Sequence, residues 1–416
     1  MPKGDLMTKD HEDFFKKKKI WSTVKDELLG CYLRPYFSKV MRTGNPILYV
    51  DCFAGKGRFD DGMSGSPLIA MECLKICLAQ SGSLNRSNVS LCFIELNYAD
   101  DLRKNLKNEP SGTYRVIEGK FEEKISDLLI EKYEQNQKLN LFLYVDPYGV
   151  KALDANLFDK LPTMFSTAEL LINLNSFGFI REACRAMKVV FREEERVIFE
   201  DIEEYDTSYN TSINELNIVA GGIYWQSIIT DYRQGKIDCY QAEREFSLQY
   251  KLRLREKYRY VLSMPIRLKP GLHPKYRMIY ATNHSDGCLL MADNMALRTD
   301  RLVVEIQDEG QLSILPQTAE NQLVEDSFLE EKVLQLLAIT PDFTHLNEFM
   351  ADFFDKYGVI CDKKRLSSGK AGSILKSLEA AGKLNVLRDP EVTKNGQPSS
   401  FWLEDKDHSL WLKIKL

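Results

Sequence analysis

The stretch that decides the fold is Ile47-Leu48-Tyr49-Val50-Asp51, followed directly by Cys52-Phe53-Ala54-Gly55-Lys56-Gly57. Four consecutive apolar residues closed by a carboxylate are typical of a strand that is buried on both faces of a parallel sheet. The two glycines predict a tight turn in which the backbone can approach a ligand, because no Cβ stands in the way. Ser66-Pro67 then predicts the start of a helix that runs to about Gln80.

The same alternation of strand and helix patterns continues to about residue 175. Two further apolar runs end in a carboxylate, Val89–Glu95 and Leu141–Asp146, and shorter runs at Tyr114–Glu118 and Ala168–Asn173 also predict strands. Strands that alternate with helices predict right-handed βαβ units, and therefore a doubly wound, Rossmann-like α/β sheet. The intervening helices are predicted at Tyr98–Asn108, Phe121–Gln135 and Leu153–Leu161.

Helical segments precede and interrupt the predicted sheet. Residues 1–45 carry a helix pattern over 12–42, and residues 176–257 carry much charge and no convincing strand, which indicates a helical insertion. Strand patterns return at Tyr260–Leu268 and Tyr276–Thr282, whose spacing predicts a hairpin-like pair. The first domain is thus predicted to span residues 46–305.

Residues 325–416 predict a second domain, behind a linker at 306–324 that is rich in Gln, Glu and Gly. Asn395-Gly396 between two strand patterns is a strong hairpin signal. Three helices and a hairpin are typical of a winged helix-turn-helix domain. The helices are predicted at Phe328–Ala338, His345–Tyr357 and Ser367–Ala381, and the strands at Leu384–Leu387 and Ser400–Leu403.

Composition excludes several classes of protein. The chain has 416 residues, of which 44% are apolar, and its formal charge of −5 excludes a uniformly basic nucleic-acid coat. No apolar run approaches the ~18 residues of a membrane span and no secretory signal is visible, so we expect a cytoplasmic protein with no membrane partner. Nine cysteines, an odd number, are expected to be reduced thiols. No metal site is predicted, because Cys73 and Cys77 fit core packing and the five histidines are scattered.

The acidic ends of the first two strands predict a nucleoside-binding site. The carboxyl ends of neighbouring strands meet at the switch point of such a sheet, where Glu95 is placed to accept hydrogen bonds from two ribose hydroxyls. The dinucleotide pattern G-x-G-x-x-G is not satisfied, because Asp60 stands at its third glycine. Asp51 before the glycines better suits S-adenosylmethionine, whose cationic methionine end needs carboxylate and carbonyl neighbours. The alternative is a tight βα turn with an acidic cap. The predicted cofactor-binding residues are Asp51, Phe53, Ala54, Gly55, Gly57, Glu95, Lys120 and Phe121.

A second motif, Asp146-Pro147-Tyr148-Gly149, follows the third acidic-ended strand. It resembles the Asp-Pro-Pro-Tyr signature of amino-methylating enzymes, and it is closer still to the motif of the tRNA guanine-N2 dimethylating enzymes. In such enzymes the Asp accepts hydrogen bonds from an exocyclic amino group and the aromatic ring stacks on the base. All four residues are therefore candidate catalytic residues. The alternative is a strand-to-loop turn that Pro147 and Gly149 shape.

These motifs together resemble the three-Cys-motif partner protein family. The resemblance is carried by Asp51–Phe59, Gly65–Ala70 and Asp146–Gly149, with further similarity at Tyr276–His284 and Gly287–Asn294, and it covers roughly residues 15–300. It implies a class I methyltransferase-like sheet, often with a C-terminal winged helix. It also implies a partner protein of radical-enzyme type, which carries the three cysteines.

A basic cluster in the second domain predicts contact with nucleic acid. Residues 356–394 hold nine basic and four acidic residues, an excess of five in an acidic chain. The excess covers the predicted third helix and the start of the wing, which meet grooves and phosphates in such domains. The alternative is a charge-mixed surface on a protein-binding domain. The candidate nucleic-acid-binding residues are Lys363, Lys364, Arg365, Lys370 and Lys376.

The sequence therefore predicts S-adenosylmethionine-dependent methyl transfer to an amino nitrogen of nucleic acid. In this hypothesis Asp51, Gly55 and Gly57 hold the methionine part, Glu95 the ribose, and Asp146 and Tyr148 the target. Two alternatives remain open: a non-catalytic protein that senses a nucleoside ligand, and an accessory protein with no ligand. Either would partner the three-Cys-motif protein and bind nucleic acid through its winged helix.

Overall fold

The structure, a computed structural model, describes residues 15–80, 89–147, 149–150, 153–195, 211–267, 274–308, 324–340, 342–369 and 372–415. The chain divides into two compact units. The first comprises Met1–Arg259, Pro265–Leu268 and Leu272–Asn283, and the second comprises Tyr260–Met264, Lys269–Gly271 and His284–Leu416. No helix in the described part of the chain combines the length and the apolar character needed to cross a membrane.

Seven strands form one mostly parallel, Rossmann-like sheet, in the order β3-β2-β1-β4-β5-β7-β6. Strands β1 to β5 pair in parallel, whereas β7 runs antiparallel to β5. The strand order reverses between β1 and β4, and ligands of such sheets bind at this switch point. The strands are β1 (Ile47–Asp51), β2 (Val89–Glu95), β3 (Tyr114–Glu118), β4 (Asn140–Val145), β5 (Thr167–Leu174), β6 (Tyr260–Arg267) and β7 (Pro274–Thr282).

Helices connect these strands, as the alternating pattern predicts. An additional helix, α1, precedes β1; it packs on α2 and belongs to the first unit. All five residues of β1 are buried, which accounts for its unbroken apolar run. The helices are α1 (Ile20–Val40), α2 (Ser66–Gln80), α3 (Ala99–Leu106), α4 (Phe121–Gln135) and α5 (Ala155–Met164).

The described residues of the predicted helical insertion, 176–195 and 211–257, form helices and contain no strand. A buried ion pair ties the insertion to the sheet: Arg277 of β7 donates to Glu243 at 2.6 and 2.9 Å. The helices are α6 (Ser176–Ala186), α7 (Ile213–Ala220), α8 (Trp225–Arg233) and α9 (Cys239–Leu254), with a 3-10 turn at Glu193–Glu195.

The second unit contains a three-stranded sheet in the order β8-β10-β9, in which β10 is antiparallel to both neighbours. Its long first helix, α10 (Ser285–Asp308), extends into the predicted linker, of which residues 309–323 lie outside the described residues. The remaining helices are α11 (Asp326–Ala338), α12 (Leu346–Tyr357), α13 (Lys363–Leu366) and α14 (Ile374–Ala380), and the strands are β8 (Thr344–His345), β9 (Leu384–Asp389) and β10 (Ser409–Ile414).

Two predictions about the second unit are wrong. Of the helix predicted at Ser367–Ala381, only the second half forms, as α14. Gly372 adopts φ 92°, which a continuing helix cannot accommodate. The strand predicted at Ser400–Leu403 is irregular, and β9 pairs instead with β10. Alternation decides this pairing, because Leu410 and Leu412 are both buried whereas Leu403 is 45% exposed.

The predicted N-terminal helix is interrupted. Residues 15 and 16 are helical, residues 17–19 are not, and α1 begins at Ile20, because the residues before it bind the loop after β1. The Lys18 N–H donates to Asp61 at 2.9 Å, the Lys18 ammonium donates to the Ser64 carbonyl at 2.7 Å, and the Asp60 N–H donates to the Phe15 carbonyl at 2.8 Å. These contacts hold residues 15–19 against the glycine-containing loop.

Candidate functional site

A cavity of about 770 Å³ lies at the carboxyl ends of the parallel strands. Its wall combines residues that follow β1, β2, β3, β4 and β5 with one face of α1. A volume of this size suits a small organic ligand, for which pockets commonly span roughly 300–1,000 Å³. Strand register places the site: Asp51 pairs with Phe93 on one side and Tyr144 on the other, so three strands end at the same edge.

The turn after β1 adopts backbone conformations that require glycine. Gly55 has φ 60° and Gly57 has φ 76°, both in the left-handed region. A Cβ at Gly57 would lie 2.7 Å from the Leu102 side chain, and a Cβ at Gly55 would lie 3.2 Å from the Phe15 ring. The turn therefore packs against residues 15 and 102 on one side and lines the cavity on the other.

Glu95 anchors this turn. One carboxylate oxygen accepts from the Gly55 N–H at 2.7 Å, and the other accepts from the N–H groups of Asn97 at 2.8 Å and Tyr98 at 3.1 Å. A carboxylate offers about four acceptor positions, so roughly one is left for a ligand hydroxyl. The predicted pair of ribose hydrogen bonds therefore has less capacity than the sequence suggests, although Glu95 does line the cavity.

Asp51 lies at the end of β1 as predicted, but its side chain does not line the cavity. It is fully buried and is absent from the cavity wall formed by the described residues. One oxygen accepts from the Phe53 N–H at 3.3 Å, and the other has no hydrogen-bond partner among the described residues. Burial raises the pKa of Asp51 to about 7, an effect that hydrogen bonds from Ser66 and Phe53 partly offset. Asp51 thus supports the turn from beneath.

The remaining predicted cofactor residues all line the cavity: Phe53, Ala54, Gly55, Gly57, Lys120 and Phe121. The rings of Phe53 and Phe121 lie 5.1 Å apart between centroids and give this end of the cavity an apolar wall. Lys56, between the two glycines, is turned away: its ammonium lies 4.9 Å from the Phe15 ring centroid and 5.1 Å from that of Tyr98.

At the other end of the same cavity lie Asp146, Pro147 and Gly149, whereas Tyr148 lies outside the described residues. Asp146 accepts hydrogen bonds from three side chains. The Lys25 ammonium lies 2.9 Å from Oδ1 and 2.6 Å from Oδ2, the Asn173 amide donates to Oδ1 at 2.7 Å, and the Tyr144 hydroxyl donates to Oδ2 at 3.2 Å. The carboxylate is thus fixed in place and neutralised by a cation.

Sequence reasoning missed the contribution of α1 to this site. Trp21, Ser22, Lys25 and Asp26 all line the cavity, and the last three share one helix face by their spacing. Burial raises the pKa of Asp26 to about 6, although Lys18 opposes the shift through an ion pair of 2.5 Å. The signal available in the sequence was the charged pair Lys25-Asp26 inside an otherwise apolar helix pattern.

The basic residues predicted to contact nucleic acid have mixed surroundings in the second unit. Arg365 is engaged by Asp326, at 2.7 and 3.0 Å, and the Lys376 ammonium donates to the Gly369 carbonyl at 2.7 Å. Lys364 is exposed, Lys363 is half-buried, and Lys370 lies outside the described residues. Arg388 forms a two-pronged pair with Glu379 at 2.8 Å, so part of the positive excess is neutralised within the unit.

No protein-family model matches the chain, and no curated protein matches it. Among the described residues, no group of three or more His, Cys, Asp or Glu side chains is arranged to hold a metal ion. The functional argument therefore rests on the cavity and on the residues that line it.

Proposed function

We propose that this protein is an S-adenosylmethionine-dependent methyltransferase that acts on an amino nitrogen of nucleic acid. The observation that carries the proposal is that one cavity holds both constellations: the Gly55–Gly57 turn with Glu95 at one end, and Asp146-Pro147 at the other. Cofactor and target have to share a cavity if a methyl group is to pass directly between them.

The cavity wall fits the nucleoside cofactor. The glycine turn lets the backbone approach a ligand, and Phe53 with Phe121 provides an apolar surface for a base. Glu95 keeps about one acceptor position for a ribose hydroxyl. When bound, the cofactor supplies an electrophilic methyl group, and the residues of this chain position it.

The topology also supports the proposal. The sheet closes with an antiparallel β7 beside β5, which is the ending that the resemblance to class I methyltransferase-like proteins implies. The same resemblance implies a radical-enzyme-type partner with three cysteines, which we include in the proposal as a partner.

The target end presents acceptors to an amino group. Asp146 is held by Lys25 and Asn173, and the Asn173 amide oxygen is buried without a partner among the described residues. An unpartnered buried carbonyl oxygen is costly, and a ligand N–H group would satisfy it. This arrangement favours a nitrogen with N–H donors as the target group.

The second unit supports nucleic acid as the carrier of the target. We propose that α11 to α14 with β8, β9 and β10 form a winged helix, since α11, α12 and α14 are followed by the antiparallel pair β9 and β10. Lys364 lies on α13 and Lys376 on α14, the elements expected to face the groove.

Calorimetry with S-adenosylhomocysteine, followed by transfer of tritiated methyl groups to bulk transfer RNA and to genomic DNA, tests this function. We expect binding to the wild-type chain, and transfer to one nucleic acid that falls about a hundredfold or more in Asp146→Asn, because the target amino group is then misplaced. Asp127→Asn, at an exposed position of α4, is the matched control and should leave both measurements unchanged. Absence of binding to S-adenosylhomocysteine would contradict the proposal.

A second candidate function is non-catalytic sensing of a nucleoside ligand. It is favoured by one observation, the engagement of Asp146 by Lys25, which occupies the carboxylate on which a target would bind. A sensor binds S-adenosylhomocysteine, transfers no methyl group to either nucleic acid, and keeps its ligand affinity in Asp146→Asn. The two assays above therefore separate the sensor from the enzyme.

A further inference from the structure

The acceptor capacity of Asp146 is full. A carboxylate has about four lone-pair positions, and four donor contacts occupy them. Oδ1 receives Lys25 at 2.9 Å and Asn173 at 2.7 Å, and Oδ2 receives Lys25 at 2.6 Å and Tyr144 at 3.2 Å. An amino group of a target can therefore bind Asp146 only if one of these donors leaves.

Lys25 is the donor that can leave. Tyr144, Asn173 and Lys25 are all buried, but Tyr144 and Asn173 lie on β4 and β5, which pair with each other inside the sheet. Lys25 reaches the carboxylate from α1 on a flexible four-carbon stem, and it lines the cavity. Its departure disturbs no strand pairing.

The structure also gives the Lys25 ammonium a contact apart from Asp146. While it is paired with the carboxylate, the Lys25 Nζ lies 5.5 Å from the centroid of the Tyr276 ring, and Tyr276 lines the same cavity. An aromatic face attracts a cation at this range. The ring can therefore keep the ammonium in the site after the carboxylate has been taken by another donor.

We propose that Lys25 determines which chemical group binds at the target end of this site. Its ammonium holds the acceptor positions of Asp146 until an amino group of the target takes them, and the Tyr276 ring, which it already contacts, then retains it. This inference rests on the proposed function, since it assigns the target end to Asp146. It goes further by naming a competing group within the chain.

The exchange selects for nitrogen. An amino group offers N–H donors to the carboxylate as the ammonium does, although it carries no charge. A keto oxygen at the same place would direct its lone pairs at an ionised carboxylate and could not compensate for the loss of Lys25. Bases with an exocyclic amino group should therefore displace Lys25, and their keto counterparts should not.

Nucleotide pairs that differ in this group provide the experiment. With the full chain saturated with S-adenosylhomocysteine, dissociation constants are measured for adenosine and inosine monophosphates, cytidine and uridine monophosphates, and guanosine and xanthosine monophosphates. Lys25→Met should strengthen binding of at least one amino-bearing nucleotide about tenfold, because its amino group no longer competes with an ammonium for Asp146. Binding of the keto counterpart should not change. Lys25→Arg should weaken the same amino-bearing nucleotide, because a guanidinium grips a carboxylate with two parallel hydrogen bonds.

Controls separate gating from support of the fold. Lys107→Met, at an exposed position after α3, should change none of these constants, including that for S-adenosylhomocysteine. Tyr276→Leu removes the ring that retains the displaced ammonium and should weaken the amino-bearing nucleotide. If Lys25→Met fails to fold in a thermal melt, Lys25→Arg and Tyr276→Leu decide the question.

The contrary outcomes are distinct. The role of Lys25 is overturned if amino and keto nucleotides change equally, or if no nucleotide binds to any variant. It is also overturned if amino-bearing nucleotides bind Lys25→Met more weakly than wild type, or bind Lys25→Arg equally well or more tightly. A wild-type chain that does not bind S-adenosylhomocysteine contradicts the proposed function itself.

Discussion

Glu95 at the end of β2 accepts a hydrogen bond from the backbone N–H of Gly55 at 2.7 Å, across 40 positions of sequence. The bond joins the two strand ends that frame the part of the cavity proposed to hold the cofactor. Glu95 thereby has two tasks: it holds the glycine turn in shape and offers its remaining acceptor position to a ligand. Removal of this side chain should affect stability and ligand binding together.

Glu95→Ala is expected to weaken binding of S-adenosylhomocysteine by about 1.5–3 kcal/mol, the range for a hydrogen bond to a charged group, and to lower the thermal unfolding temperature. Glu118→Ala is the matched control, because Glu118 pairs in register with Glu95 on β3 yet its side chain is 60% exposed. Calorimetry and a thermal melt on both variants make the comparison. Equal effects of the two substitutions would show that Glu95 has no special part in the site.

Gly57 and Gly62 separate backbone strain from steric contact. Both have positive φ, 76° and 86°, but a Cβ at Gly57 would lie 2.7 Å from Leu102 whereas one at Gly62 meets nothing within 4 Å. Gly62→Ala should cost about 1 kcal/mol of unfolding free energy from strain alone, and Gly57→Ala about 2–4 kcal/mol from strain plus overpacking. Urea titrations measure both; losses of equal size would contradict the contact with Leu102.

Glu169 predicts a pH dependence of stability. It is fully buried on β5 and accepts hydrogen bonds from the hydroxyls of Tyr32 at 2.6 Å and Tyr280 at 3.0 Å. Burial raises its pKa from 4.5 to about 7, and the two tyrosine hydrogen bonds only partly oppose that shift. The folded state therefore binds the proton more tightly than the unfolded state, so this contribution to stability is present below about pH 4.5 and is lost as the pH rises through about 7.

Glu169→Gln should remove this dependence, since an amide resembles the protonated acid at every pH. The difference in unfolding free energy, variant minus wild type, should increase by on the order of 2 kcal/mol between pH 5 and pH 8, because the wild type loses stability over this range and the variant does not. Asp26 and Asp51 remain in both proteins, so their own titrations cancel in the difference. Denaturant titrations at the two pH values measure it, with Glu134→Gln, at an exposed position of α4, as the control. A difference that does not vary with pH would refute the buried acid as its source.

Lys364 and Lys376 should contribute to nucleic-acid binding through phosphates. Each lysine replaced by Glu is expected to reduce the slope of log affinity against log salt by about one, with a similar loss for every sequence tested. Fluorescence anisotropy with a random-sequence duplex, at salt concentrations from about 50 to about 200 mM, measures the slope. Lys138→Glu, exposed in the first unit, serves as control. Slopes unchanged in both variants would assign this surface to a protein partner.

Much of the fold could be predicted because its signals are local. The bounds of β1, β2 and β3, of α4 and of the helical insertion follow from apolar runs, helical periodicity and caps within a few residues. The glycine turn is equally local, and so is the position of Glu95 at a strand end. Parallel strands then bring such ends to one edge of the sheet, which is why the cavity could be placed from the sequence.

Where each side chain points, and what it binds, was decided by tertiary structure. Lys25 lies 121 positions from Asp146, and only the packing of α1 brings the two together. Tertiary packing also buries the Asp51 side chain beneath the turn, although its place at the end of β1 is as predicted. In the second unit Asn395-Gly396 does turn, yet burial of Leu410 and Leu412 gives β9 a more distant partner.

The sequence by itself determined the order of strands and helices and the glycine turn after β1, because backbone preference and apolar period act between near neighbours. Only the tertiary structure decided which acids face the cavity and which cation neutralises Asp146. Burial and charge pairing depend on residues far apart in the chain, and their free energy is set by the packed environment, which no local pattern encodes.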